Sequence, residues 1–223
     1  MDGASYFCLM KKLTGQHMDP FSGDCRQNGF AFGEALAKLH RALSALTLEV
    51  YETSFSAELE SWILPTLTEK QLLDHFEAGV LSCCQRLASV CADLPQQIIH
   101  RDFHSGNLLF ENVRFSAYLD FDITQKNARV FDICYFGCSL LVENYKDEAR
   151  LAQWQEIFSG FLSGYETVRP LSVSEKRVLP GVFIYIEVLF TAFFSQQGQT
   201  ALVQSCIDMT NWMHQSLKGI LDV

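Results

Sequence analysis

The stretch IIHRDFHSGNLLF, residues 98–110, sets two histidines, an arginine, an aspartate and an asparagine between two short apolar runs. Runs this short, bounded by polar turn residues, read as strands rather than helices. Phe115–Leu119 is a third such run, and the acidic residues Asp120 and Asp122 follow it. A hairpin formed by 108–110 and 115–119 across the turn ENVR would return Asp120 to the end from which Asn107 departs. Asp102, Asn107 and Asp120 would then meet at one edge of a small sheet.

On both sides of this β insert the apolar spacing is helical. Phe32, Leu36, Leu39 and Leu43 recur at three- and four-residue intervals and predict an amphipathic helix over 28–46. Further helices are expected over 57–64 and 69–92 upstream, and over 131–143, 146–165, 174–194 and 199–221 downstream. The fold class read from this pattern is α+β, mainly helical with a small β insert, without repeats or an evident linker.

The chain of 223 residues, 48% hydrophobic and 19% charged, is long enough to bury a sizeable core. Its net charge of -9 argues against general binding to nucleic acid or an anionic membrane, because both demand a basic excess. Eight cysteines without a CxxC pair read as reduced core thiols, in keeping with a cytoplasmic protein. The N-terminus has no signal-peptide pattern. The most apolar segment, 182–194, is 13 residues long and carries Glu187, so no membrane span is expected.

Asp102, Asn107 and Asp120 suit phosphoryl transfer, in which a protein supplies mainly position and charge. One carboxylate accepts the proton of a hydroxyl, while an amide oxygen and a second carboxylate hold Mg²⁺ against the phosphates. As structure alone, Asp102 and Asn107 would cap a turn. Asp120 in register is what favours chemistry. His100 reads as a loop-bracing histidine, and His104 as either lining the site or facing solvent. Asp122 is a second metal or acceptor contact or a solvated carboxylate. Glu187, a lone acid in an apolar helix, either contacts an amine-bearing acceptor or pairs with a neighbour.

HRDFHSGN follows the HRDxxxxN spacing of kinase catalytic loops, with LDFD at 119–122 where a metal-binding aspartate follows. Together with RVFDI at 129–133, these motifs resemble the aminoglycoside phosphotransferase and choline kinase family more than the protein kinases. His104 stands where protein kinases carry lysine, and Asp122 where DFG has glycine. The resemblance implies a protein-kinase-like fold represented mainly by its helical C-terminal lobe. It also implies ATP as phosphoryl donor, Mg²⁺, a small-molecule hydroxyl acceptor, Asp102 as catalytic base and Asn107 and Asp120 as metal ligands. Asp132 would brace the catalytic loop, Leu9, Met10 and Lys11 would form the hinge facing adenine, and Leu109 would line the nucleotide site.

In that resemblance residues 1–13 are a hinge strand left from the N-lobe. Residues 14–223 form the C-lobe, with the catalytic loop at 98–110 and the metal-binding segment at 117–123. An alternative makes YFCLMK the strand bearing the phosphate-binding lysine, Lys11, with Glu34 as its ion partner. The Thr-Gly turn after it and the Leu39-His40 helix end favour the hinge. A chain that starts at the hinge lacks the nucleotide-covering lobe. The expected partners therefore include a separately encoded N-lobe or a second copy of the chain. The contrasting expectation is a truncated, inactive kinase-like module that binds a small ligand or a partner protein.

Overall fold

The structure, a computed structural model, describes residues 12–111 and 114–220. The hinge residues Leu9, Met10 and Lys11 lie outside the described residues. Helix α1 (Cys25–Leu43) leads to strand β1 (Tyr51–Glu52) and to a helical run made of α2 (Phe55–Glu58), one π turn (Leu59–Ile63) and α3 (Leu64–Glu69). After α4 (Val80–Cys91) come β2 (Gln96–Ile99), β3 (Leu108–Glu111), β4 (Arg114–Tyr118) and β5 (Gln125–Ala128). Four helices complete the chain: α5 (Val130–Leu141), α6 (Glu148–Val168), α7 (Val173–Gln196) and α8 (Thr200–Ile220).

Strands β3 and β4 pair antiparallel, and Leu108 faces Tyr118. The expected hairpin is therefore present. A second sheet has the order β1-β5-β2, in which β5 runs parallel to β1 and antiparallel to β2. Sequence periodicity missed β1 and β5. In β5 the polar side chains of Gln125 and Asn127 are buried, so the strand carries no alternating apolar signal.

The helix expected over 69–92 is instead broken. Gln71 (φ 58°) and Gly79 (φ 101°) take left-handed backbone, and only a short 3-10 turn at Leu73–His75 lies between α3 and α4. The apolar residues Leu72, Leu73 and Phe76 imitate helical spacing but pack against the core from an irregular segment.

Helices α1 and α6 lie backbone to backbone. Gly29 and Gly33 of α1 lie against the backbone of Ile157 and Phe161 in α6, Gly160 and Gly164 of α6 lie against the backbone of Arg26 and Phe30 in α1, and a Cβ added at Gly33 would come within 1.9 Å of the Phe161 carbonyl oxygen. Because the obstruction is backbone, no rotamer change relieves it. Gly33→Ala is expected to lower unfolding stability by about 2–3 kcal/mol, read from urea denaturation. A loss under about 0.5 kcal/mol would show that the two helices separate freely.

Helix α7 runs through the centre and begins with a capping box, Ser172 with Glu175. It is long and apolar enough to cross a membrane by length and composition, yet 67% of its most apolar window is buried within the fold. Its neighbours are α3, α4, α5, α8 and the π turn. The seven described cysteines are free thiols, and five of them are buried.

Candidate active site

The segment between β2 and β3 carries the quoted motif. Asp132, in the first turn of α5 and fully buried, organises it. One carboxylate oxygen accepts the His100 backbone N–H at 2.8 Å and the His40 Nε2 at 3.0 Å; the other accepts the Arg101 N–H at 2.9 Å. Burial lowers the pKa of His40, which keeps the ring neutral. Its Nε2–H then donates to Asp132, and Nδ1 accepts from the Tyr165 hydroxyl at 2.8 Å. Arg129 donates to the same hydroxyl and is clamped by both oxygens of Glu175. A buried chain of polar contacts thus reaches from the start of α7 to the loop.

Arg101 has φ 75°, a region costly for a side chain with a Cβ. Three contacts hold it there. Its backbone N–H is on Asp132, its guanidinium meets Glu58 at 2.6 Å, and it lies 3.7 Å above the Phe131 ring. The arginine therefore points into the core, and the kink presents the next residue, Asp102, half-buried.

Both oxygens of Asp102 are fixed. Oδ1 accepts the Tyr135 hydroxyl at 2.6 Å, and Oδ2 accepts Asn107 Nδ2 at 2.8 Å, with His104 Nε2 at 3.7 Å. Burial works to raise its pKa, but the nearby His104 ring and the hydrogen bonds from Tyr135 and Asn107 outweigh it and hold the carboxyl below its ordinary value. The group is an ionised carboxylate with free lone pairs, able to accept a proton. Behind it, His100 donates Nε2–H to the Leu119 carbonyl at 2.9 Å and takes the Asp102 N–H at 3.3 Å.

The hairpin brings the metal candidates together. Asn107 precedes β3, and its carbonyl accepts the Leu119 N–H at 2.9 Å, so Asp120 follows directly beside it. Asp120 is exposed, has φ 57° and among the described residues receives only a 3.5 Å contact from the Asp122 N–H. The Asn107 amide nitrogen is committed to Asp102, which turns Oδ1 away, and among the described residues no protein donor reaches that oxygen. The hairpin thus brings together two residues, Asn107 and Asp120, that each offer an oxygen acceptor. Among the described residues no group of three or more His, Cys, Asp or Glu side chains is arranged to hold a metal. The sparse hard-oxygen pair fits Mg²⁺, which keeps several waters of its own.

The other sequence candidates fall on different sides of the loop. His104 lies beside Asp102 and accepts the Gly106 N–H. Asp122 is exposed on the turn after Asp120. Leu109 is buried in β3, where its Cβ sits against Gly15 of the entering loop. Glu34 pairs with Lys38 at 2.9 Å. Glu187 is buried at a cavity wall that it shares with Tyr135. Sequence reading missed Tyr135. It lies three residues after Asp132, less than one helical turn along α5, so the face carrying that aspartate toward the loop also carries the tyrosine.

The architecture and this loop define the class: the fold is protein-kinase-like, of the aminoglycoside phosphotransferase type. The model of the phosphotransferase enzyme family matches residues 2–171, and the chain belongs to that family. It is 26% identical over 178 residues to a homoserine kinase of Hyphomonas neptunium, covering 73% of this chain and 50% of that protein. It is 26% identical over 212 residues to a homoserine kinase of Neisseria meningitidis serogroup B, covering 88% and 64%. The chain thus spans about half to two-thirds of the length of these relatives. Among solved structures it superposes on the amicoumacin kinase hAmiN in complex with AMP-PNP, Ca²⁺ and Ami with a TM-score of 0.66 at 17% identity, covering 90% and 63% of the two chains. A choline/ethanolamine kinase family protein from Mesorhizobium loti gives 0.63 at 17% identity, covering 93% and 68%.

Proposed function

We propose that the protein acts as a small-molecule kinase, moving the γ-phosphoryl group of ATP to a hydroxyl of a small acceptor. The observation that carries this reading is the register of the β3–β4 hairpin. It sets Asp120 beside Asn107, while Asn107 itself holds the ionised Asp102. Asp102 accepts the acceptor's hydroxyl proton as the oxygen attacks phosphorus. Asn107 Oδ1 and the Asp120 carboxylate hold Mg²⁺, whose contribution when bound is to neutralise charge on the phosphates. His104 keeps Asp102 anionic from one side and Tyr135 from the other. Asp132 and His100 position the loop and do not touch the reacting atoms.

Thermal stabilisation by Mg-ATP tests the nucleotide half of this reading. Saturating nucleotide at a hundredfold excess over Kd adds about 2.7 kcal/mol to unfolding stability. Asp120→Ala is expected to abolish most of the Mg-dependent part while lowering the unliganded melting temperature by only a few degrees, because the side chain is exposed and sparsely bonded although its left-handed backbone suits Ala less than Asp. No shift of the wild-type protein at millimolar Mg-ATP would overturn the kinase reading and leave the inactive-module alternative standing.

A further inference from the structure

Asp132 holds the backbone of the catalytic loop, but the side chain of Arg101 is held from a different part of the fold. Its Nη2 donates to Glu58 Oε1 at 2.6 Å, a charge-assisted contact, and the two side chains keep only 10% and 8% of their surface exposed. Glu58 is the last residue of α2, directly before the π turn, an irregularity that recurs at functional sites. Ser54 caps α2, which packs on α4, and the π turn packs on α7. On the other side of the carboxylate, the Tyr185 hydroxyl of α7 lies 3.2 Å from Oε2 and 3.1 Å from the Phe55 carbonyl. The acid is thus fixed by three helices, 43 residues before the loop it meets.

From this arrangement we infer that Glu58 is a positioning residue for phosphoryl transfer: its carboxylate, through the Arg101 guanidinium, keeps the left-handed kink that aims Asp102 at the acceptor hydroxyl. The inference rests on the kinase reading above and adds to it a residue remote from the reacting atoms.

Stability alone does not account for the pair. Taking two charges out of water offsets most of what their attraction returns, and apolar side chains of similar size often hold a fold as well or better. Both partners show that penalty. Burial raises the Glu58 pKa against the pull of Arg101, and Arg101 Nη1 is buried without a partner among the described residues.

What the pair supplies, and an apolar contact does not, is direction. Within residues 100–107 only Arg101 has left-handed backbone, at φ 75°, which a residue with a Cβ keeps when its surroundings impose it. The guanidinium lies 3.7 Å from the centre of the Phe131 ring and points at one carboxylate oxygen, so the side chain is committed to the core. The chain then carries the next residue, Asp102, to Tyr135 and Asn107. Relaxation of the kink would move Asp102 off both, and a misplacement of about 1 Å can cost about 10²-fold in rate.

Two variants test this on the whole chain. Glu58→Gln keeps the shape and removes the charge. Glu58→Met combined with Arg101→Met replaces the pair by apolar side chains, and a methionine against the Phe131 ring is itself a favourable contact. The double variant is expected to melt within about 5 °C of wild type. A pair that served the fold alone would leave its turnover intact. The expected result in both variants is instead a kcat lower by about 10- to 100-fold, with KM for Mg-ATP within about threefold. Amide hydrogen exchange followed by NMR reads the kink without turnover. The Arg101 N–H on Asp132 and the Asp102 N–H on His100 should exchange at least about tenfold faster, with Leu36 of α1 and Ile184 of α7 unchanged. Wild-type kcat in the double variant, unchanged exchange at Arg101 and Asp102, equal acceleration at every amide, or loss of the fold in both variants would each overturn the inference. The expected exchange in a protein that transfers no phosphate would count against the kinase reading alone.

Discussion

Asp102→Asn is expected to lower kcat for phosphoryl transfer by about 10²- to 10⁴-fold, the usual worth of a positioned general base. The substitution preserves shape. The amide oxygen still accepts one of the two hydrogen bonds that now come from Tyr135 and Asn107. What disappears is the negative charge that takes up the acceptor's proton in the proposed reaction. Stability in urea should therefore change by no more than about 1 kcal/mol, and the Mg-ATP stabilisation should persist, since Asn107 Oδ1 and Asp120 are untouched. Initial rates of ADP release, measured with an acceptor, separate the outcomes. A variant that keeps more than about a tenth of the wild-type kcat means that Asp102 does not accept the proton. A variant that loses nucleotide stabilisation as well means that the substitution has disturbed the proposed metal ligands through Asn107.

The hairpin and its consequence were legible because strand length, turn residues and the positions of three polar side chains agree. Asn107 ends one apolar boundary and Asp120 begins another, so antiparallel pairing alone brings them together. The long helices were legible too, through the spacing of Phe32, Leu36, Leu39 and Leu43 and its counterparts downstream. What stayed hidden depends on contacts between distant segments. No local pattern marks Glu58 as the partner of Arg101, 43 residues away, nor Tyr165 as the partner of His40, 125 residues away. The β5 strand was invisible for a related reason: Gln125 and Asn127 are buried polar residues, and hydropathy cannot distinguish them from loop residues. The close approach of α1 and α6 was written in the glycine pairs 29/33 and 160/164, but only the paired helices show what the glycines face. Glu187 stood out as an acid in an apolar helix. The cavity beside it came from packing.

Asp132→Ala should be the most destabilising single change in the loop's support, by about 3–5 kcal/mol in equilibrium unfolding. Nothing exposed compensates for it, since the residue is fully buried and its two oxygens take three donors. Removing the carboxylate strands the N–H groups of His100 and Arg101 and the Nε2–H of His40, all three in buried residues, at about 1–3 kcal/mol per unpaired buried group. The left-handed Arg101 then loses the contact that fixes its backbone, and the kink that aims Asp102 relaxes. A second effect follows from the first. Catalysis should fall even under conditions where the variant is folded, because the base is no longer held against Asn107. Urea denaturation gives the stability term, with the exposed Asp93→Ala as a control expected within about 0.5 kcal/mol of wild type. Should Asp132→Ala unfold at a midpoint corresponding to less than about 1 kcal/mol of loss, the loop must be held by Arg101, Glu58 and His100 without it. The chain of contacts from Glu175 through Tyr165 and His40 would then have no part in positioning the site.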